Sequence, residues 1–298
     1  MQHNIPTLRQ AVEDARSRKV AVAHFNISNL EGLWAIFHAA QGLDLPVIIG
    51  VSEGEREAIG VMQAAALVKS FREEFSWPIY LNADHTYSFE KVKAAIDAGF
   101  DSVICDGAAL PFDENVAYAK QCVAYARGAS EETGRDILIE GELGYIGQSS
   151  KILDALPDGV STDEKYLTKP EDAKRFIEET GIDMLAPAVG NVHGMLKSGV
   201  NPPLNVPHVK AIAEAVPTIP LVLHGGSGNS AADIQGAIKN GCGIVHVNTE
   251  LRVAYSNALR DFLIKNPDET TPYKETIGAA KAMQAVVEEK MKIFNMME

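Results

Sequence analysis

Leu221-Val222-Leu223-His224-Gly225-Gly226-Ser227-Gly228 is a short apolar run that ends in an imidazole and breaks at once into a glycine-rich turn. Asn229-Ser230-Ala231-Ala232-Asp233 follows and reads as a capped helix start. That order places a histidine at the C-terminal end of a buried strand. Beside it, bare backbone N–H groups and a helix N-terminus can receive an anion. A candidate metal ligand and a candidate phosphate cradle share one segment, and the fold is decided by how often the chain repeats this strand–turn–helix unit.

Working outward, the unit occurs eight times: apolar runs predict strands at 20–25, 46–51, 79–83, 102–105, 137–139, 184–189, 220–223 and 243–247. Helical patterns follow each, including a helix from 28 to 41 opened by the capping box Ser28-Asn29-Leu30-Glu31 and one long helix from 55 to 75. Gly99 stops the helix at 88–98. Thr7-Leu8-Arg9-Gln10 opens an additional N-terminal helix, and 273–294 forms an additional C-terminal one. The polar stretch 144–169 is longer than an ordinary connection, which marks it as functional or mobile. Alternating strands and helices with right-handed crossovers favour a closed (β/α)8 TIM barrel over an open doubly wound sheet. No linker divides the chain, so residues 1–298 are expected to form a single domain.

Composition narrows the partners. The formal net charge of -13 argues against non-specific binding to nucleic acid or to an anionic membrane surface. No apolar run is long enough for a bilayer span, and Met1 to Asn4 leads directly into a polar amphipathic segment, so no signal peptide is expected. Cys105, Cys122 and Cys242 are odd in number and lack metal-type spacing, which favours the reducing cytoplasm. A small-molecule partner is expected, and any phosphate on it must meet local positive potential.

The polar residues cluster where a barrel builds its sites, at the C-terminal ends of strands. Asn26, Ser52, Asp84, His85, Asp106, Glu142, His224 and Asn248 fall at or just beyond predicted strand ends, with His193 in the loop after the sixth. Three neutral imidazoles and one open position form a known catalytic zinc arrangement, and His85, His193 and His224 are the candidates. A lone histidine is more often structural; three on one rim point to a metal. His3 and His208 read as surface, His38 as a helix residue, and His24 as hydrogen-bonded inside the barrel. Asp84 adjoins a candidate ligand and could carry a proton, or it only orients a neighbour or caps the next helix. Asp106 and Glu142 are partners of the histidines, an alternative metal position, or ordinary ion-pair members. For a phosphate, Gly225, Gly226 and Ser227 offer backbone donors and a hydroxyl. Asn248 and Thr249 open the next helix, Gly194 permits close approach, and Lys197 adds charge.

Asn82-Ala83-Asp84-His85, Glu140-Gly141-Glu142-Leu143-Gly144, Gly190-Asn191-Val192-His193-Gly194, Leu223-His224-Gly225-Gly226-Ser227-Gly228 and Asn248-Thr249-Glu250 appear in this order. Together with Phe25-Asn26 and the C-terminal helix, they resemble the class II, metal-dependent fructose-bisphosphate and tagatose-bisphosphate aldolases over nearly the whole chain. The resemblance implies one zinc ion per subunit on His85, His193 and His224, with Asp84 exchanging a proton at the aldehyde oxygen. It places a dihydroxyacetone-phosphate end at Gly194, Lys197, Gly225, Ser227 and the 246–249 segment, and Asn26 and Ser52 on the same rim. Asp106 and Glu142 match acidic positions linked to a second or displaced metal, and a further divalent or monovalent cation is an open possibility. Arg252 matches an arginine that reaches a neighbouring subunit's distal phosphate, which implies a homodimer or homotetramer.

The chain departs from the family pattern at four places. His246 stands where an asparagine touches the substrate, as a substitute hydrogen-bond donor, an extra metal ligand or a mark of another substrate. Gly147-Gln148-Ser149-Ser150 replaces a Gly-Gly-x-Glu loop, with Asp154 and Asp158 the nearest acids; Tyr273 replaces an arginine; Gly50 replaces a glutamine. No lysine lies at a predicted strand end, so Schiff-base chemistry is not expected. The expected activity is cleavage of a ketose bisphosphate, fructose 1,6-bisphosphate first, to dihydroxyacetone phosphate and an aldehyde. Tagatose 1,6-bisphosphate or a modified ketose 1-phosphate is the alternative. A metal-dependent hydrolase and a non-catalytic phosphate binder are the readings from other classes.

Overall fold

A computed structural model describes residues 5–147, 151–156 and 163–298. In chain order the elements are α1 (Leu8–Ser17), β1 (Val22–Asn26), α2 (Leu30–Leu43), β2 (Val47–Val51), α3 (Glu53–Ile59), α4 (Val61–Phe75), β3 (Ile79–Thr86), α5 (Phe89–Ala98), β4 (Ser102–Cys105), α6 (Phe112–Thr133) and β5 (Leu138–Leu143). They continue with β6 (Ile152–Leu153), α7 (Pro170–Thr180), β7 (Met184–Pro187), β8 (Met195–Leu196), α8 (Val206–Ala215), β9 (Leu221–Leu223), α9 (Ala231–Lys239), β10 (Cys242–Val247), α10 (Thr249–Lys265) and α11 (Pro272–Phe294). Eight parallel strands close a barrel in the order β1-β10-β9-β7-β5-β4-β3-β2, and β6 and β8 pair separately. This is the (β/α)8 architecture, and no helix among the described residues is long and apolar enough to cross a membrane.

The period of two along each strand explains where the site lies. Inward positions begin apolar at the N-terminal mouth: Val22, Ile48, Tyr80, Leu138, Met184, Val222 and Ile244 form one buried cluster. Leu8, Ala11, Val12 and Ala15 of α1 pack onto that cluster, so the N-terminal helix plugs the barrel floor. Two residues further along the same strands the inward positions turn polar, with His24, Asn82, Glu140, His224 and His246 all buried. The next step brings Asn26, Ser52, Asp84, Glu142 and Asn248 to the open rim. A second, larger core fills the wall between barrel and helices. There α11 anchors β1, with Phe294 stacked on Phe25 and its carbonyl accepting from Ala21 N–H.

Several boundaries differ from the sequence expectation, each for a local reason. The long helix at 55–75 is two helices, because Gly60 adopts φ +95° between them and leaves the right-handed region. Asn29 rather than Ser28 caps α2, accepting from Gly32 N–H. β5 runs on to Leu143 and β3 to Thr86, because their neighbours keep offering backbone partners. The stretch 144–169 contains β6 and a 3-10 turn at Glu164–Tyr166. His3, Gln148, Ser149, Ser150 and Asp158 lie outside the described residues.

Ile48, 1% exposed, fills the barrel floor. Ile48→Ala is expected to cost about 2–5 kcal/mol in urea unfolding, and a loss below about 1 kcal/mol would show that the floor is not close-packed.

Candidate active site

Strict alternation would send Asp84 inward and His85 outward. Both enter the site because the β3–β4 register shifts between Ala83 and Thr86 and His85 takes φ +33°. A left-handed backbone at a histidine is strained, and it persists where surrounding contacts fix it. Buried Arg56 supplies such contacts, donating to the Asp84 carbonyl at 3.1 Å, the Val51 carbonyl at 2.5 Å and Thr86 Oγ1 at 2.9 Å. Asn26 Nδ2 donates to Asp84 Oδ2 and to Glu55 Oε2, each at 2.8 Å, so the Asp84 carboxylate is held from the side.

His85, His193 and His224 meet as the sequence predicted, with one nitrogen of each within 4.8 Å of the others. Each ring has its outward nitrogen engaged by an acceptor. His85 Nδ1 lies 2.8 Å from Asp106 Oδ2 and 3.3 Å from Glu142 Oε2; His224 Nε2 lies 2.7 Å from Glu140 Oε1; His193 Nδ1 lies 2.5 Å from the Gly147 carbonyl. Carboxylates and carbonyls accept, so these nitrogens carry the protons and the lone pairs point inward. His85 Nε2 and His224 Nδ1 consequently face one another across 3.1 Å. Two largely buried acceptors at that spacing require a proton or a cation between them, and the gap is close to the about 3.3 Å that two zinc–nitrogen bonds of about 2.0–2.1 Å at a tetrahedral angle would span.

Three other groups of titratable side chains satisfy the same proximity: His24–Asp84–His246, Glu140–His224–His246 and His85–Asp106–Glu142. Ring orientation sets apart the two that contain a pair of imidazoles. His85 is inclined at 84° to His193 and 81° to His224, so their in-plane lone pairs can converge. His24 and His246 are stacked at 3.4 Å and 1°, and His246 stacks on His224 at 4.1 Å and 23°. Near-parallel rings send their lone pairs side by side, and these cannot meet on one tetrahedral ion. The expectation that His24 is hydrogen-bonded is corrected: neither of its ring nitrogens has a partner among the described residues, and stacking holds it instead. Gly50 makes the room, since a Cβ there would lie 2.1 Å from His24 Cε1.

Burial opposes charge on His85, but Asp84, Glu142 and Asp106 outweigh it and hold the imidazole pKa well above its ordinary value. Burial likewise opposes ionisation of Asp84, yet His85, His246 and His24 hold it well below the carboxylate range. Burial and the two other rim imidazoles bring His193 down to about 3. Glu142 is raised by burial and by Asp106. A cluster with this many acids calls for positive charge at its centre.

Above it opens a cavity of about 280 Å³, whose lining includes Ser52, Asp84, His85, His193, Asn248 and Arg252. A narrower recess continues inward past Asn26, Gly194, Gly225, Ser227, His246 and Thr249. Gly225 adopts φ +63°, where a Cβ would lie 2.3 Å from the Val192 carbonyl. Gly226 N–H is used by the His246 carbonyl, so it holds the loop and does not face the recess. Lys197 points away: its side chain is exposed and pairs with Asp154 at 2.5 Å. Lys151 is the lysine that lines the larger cavity. His208 is half-buried rather than on the surface, with Nε2 on the Thr168 carbonyl. Sequence reasoning passed over Glu140, although its spacing from Glu142 puts both on the barrel's inner face. Glu55 was readable as the acid of a Ser52-x-x-Glu55 capping box, where it accepts from Ser52 N–H at 2.7 Å, whereas nothing in the sequence marked Arg56.

The sequence matches the family described as "Fructose-bisphosphate aldolase class-II" over residues 6–298. It is 38% identical over 294 residues to a fructose-bisphosphate aldolase of Geobacillus stearothermophilus, covering 98% of this chain and 97% of that one. It is also 38% identical over 291 residues to one from Staphylococcus aureus, covering 97% and 96%. The YdjI aldolase of Escherichia coli K12 superposes with a TM-score of 0.78 at 31% identity, with 97% of each chain covered. A Campylobacter jejuni fructose-bisphosphate aldolase superposes at 0.80 and 21% identity, covering 97% and 94%, a likeness of fold.

The Gly50–His24 contact gives a prediction. Gly50→Ala is expected to destabilise the fold by about 1–3 kcal/mol through overpacking, and His24→Ala added to it should recover most of that loss. Additive effects in urea unfolding would show that the two positions do not share space.

Proposed function

The chain belongs to the class II fructose-bisphosphate aldolase family, and from that premise we propose that it cleaves fructose 1,6-bisphosphate, reversibly, with one zinc ion on His85, His193 and His224. The observation that carries the metal assignment is the set of three imidazoles whose outer nitrogens are all engaged and whose inner nitrogens converge. An all-nitrogen donor set suits zinc better than the hard, oxygen-seeking magnesium or calcium. When bound, the ion supplies the positive charge that offsets negative charge developing on the ketose oxygen as the C3–C4 bond breaks.

The chain's own residues do the rest. Asp84, fixed by Asn26, takes the proton of the C4 hydroxyl, so that carbon departs as an aldehyde. The electron pair of the broken bond stays with the three-carbon fragment, which takes a proton from water at that carbon to become dihydroxyacetone phosphate, while Asp84 releases its proton to solvent. In condensation Asp84 returns the proton to the same oxygen. Gly194, Gly225, Ser227, Asn248 and Thr249 line the recess that suits the C1 phosphate, with the N-terminus of α10 directed at it. Ser52, Lys151 and Arg252 line the outer cavity, which suits the distal phosphate. Asp106 and Glu142 serve chiefly to orient His85; a second divalent or monovalent cation there would compete with the Nδ1 proton. Exposed Leu263, Ile264, Tyr273 and Ile277 near the α10–α11 turn support a homodimer or homotetramer.

A second reading keeps this chemistry and changes the substrate to tagatose 1,6-bisphosphate or a modified ketose 1-phosphate. Its support is the His24–His246 stack, which brings His246 Nδ1 to 3.6 Å from Asp84 Oδ1 in the recess where the sugar would lie.

Chelator treatment is expected to abolish cleavage and one equivalent of zinc to restore it; full activity in metal-free protein would overturn the proposal. A panel of ketose phosphates, read as kcat/KM, separates the two substrate readings. Asp84→Asn is expected to lower kcat by about 10²–10⁴-fold while zinc content is unchanged. Glu140→Gln should weaken zinc affinity by about 10–100-fold, measured by competition with a chromophoric chelator. Unaltered affinity would mean that Glu140 does not orient His224.

A further inference from the structure

The glycine-rich loop after β9 is pinned from outside the barrel. Gly228 donates its backbone N–H to Glu250 Oε1 at 2.6 Å, and the Glu250 backbone N–H points at Ser227 Oγ at 3.4 Å. The other oxygen of that carboxylate, Oε2, lies 2.7 Å from Lys290 Nζ. Lys290 comes from α11, and its side chain is only 7% exposed; the exposed Glu289 is a more distant neighbour at 3.8 Å. Lysines are rarely buried this deeply unless a specific partner repays the lost hydration.

Glu250 stands in a conflicted position. It sits in the first turn of α10, next to Thr249, and it grips the loop that presents Ser227. These are the groups read above as holding a phosphate, and the inference rests on that reading. An uncompensated carboxylate there would repel the anion and cancel the favourable field of the helix N-terminus. The loop nevertheless needs an acceptor for Gly228 N–H. We infer that Lys290 is a positioning residue of the phosphate site: it neutralises Glu250, so that Glu250 can hold the loop without opposing the substrate's charge. The C-terminal helix, remote from the reacting carbons, thereby sets affinity for the phosphate end.

The electrostatic role makes the two partners' substitutions act in opposite directions, whereas a purely structural role makes both weaken binding. Inorganic phosphate is titrated calorimetrically into the full-length, zinc-loaded chain, with circular dichroism confirming the fold of each variant. Lys290→Met is expected to weaken phosphate binding by about ten-fold, or roughly 1.4 kcal/mol. In turnover it should raise KM far more than it lowers kcat. Glu250→Gln, which keeps an acceptor for Gly228, should bind phosphate as tightly as the parent or tighter, and the double variant should return to the parent value. Weakening by Glu250→Gln, or no change in Lys290→Met, overturns the inference, and the former decides the matter even if Lys290→Met fails to fold. If Ser227→Ala weakens phosphate binding while Lys290→Met does not, this inference alone falls. If the parent takes up no phosphate, or Ser227→Ala leaves uptake unchanged, the phosphate reading falls and takes the inference with it.

Discussion

The hydrogen bond between His224 Nε2 and Glu140 Oε1, both side chains 1% exposed, is the constraint on which the rest of the site depends. It fixes which nitrogen of His224 carries the proton and turns the other toward His85. Asp106 does the same for His85 and the Gly147 carbonyl for His193, so three imidazoles present lone pairs to one point. An arrangement of buried acceptors aimed at one another is unfavourable on its own. It becomes favourable with positive charge at the centre, which links the folding of the barrel's upper half to the chemistry proposed for it.

The barrel tolerates this polar layer because the apolar work is done elsewhere. Branched and aromatic side chains fill the floor above α1, and a larger core lies between strands and helices. The middle of the barrel can therefore hold His24, Asn82, Glu140, His224 and His246. Several of their atoms, including Asn82 Oδ1, Glu140 Oε2 and His246 Nε2, have no partner among the described residues. Stacking of His24, His246 and His224 packs three rings into space that branched aliphatic side chains commonly occupy in such barrels, and Gly50 is the residue that lets the first ring in.

Much of this was legible in the sequence, because strands and barrel faces obey short-range rules. Continuous apolar runs carried the strand assignments, and polar residues at strand ends located the rim with the three histidines on it. What escaped depended on geometry with no local signature. The turn of His85 into the site needs a register shift between two strands. The break between α3 and α4 needs Gly60 at φ +95°, which nothing in the pattern of 55–75 announces. Lys197 carried a suitable charge near the right loop but faces Asp154, and only coordinates reveal a side chain's direction. Glu140 was readable in principle, lying two residues from Glu142; His24 was placed inside the barrel from the sequence, and what escaped was that stacking rather than hydrogen bonding holds it.

X-ray absorption at the zinc edge of the metal-loaded chain reads the convergence of His85, His193 and His224 on one ion. One zinc per chain is expected, with three nitrogen neighbours at about 2.0–2.1 Å and the outer-shell scattering of imidazole rings. A first shell made of oxygen alone, or zinc bound without imidazole scattering, would contradict it.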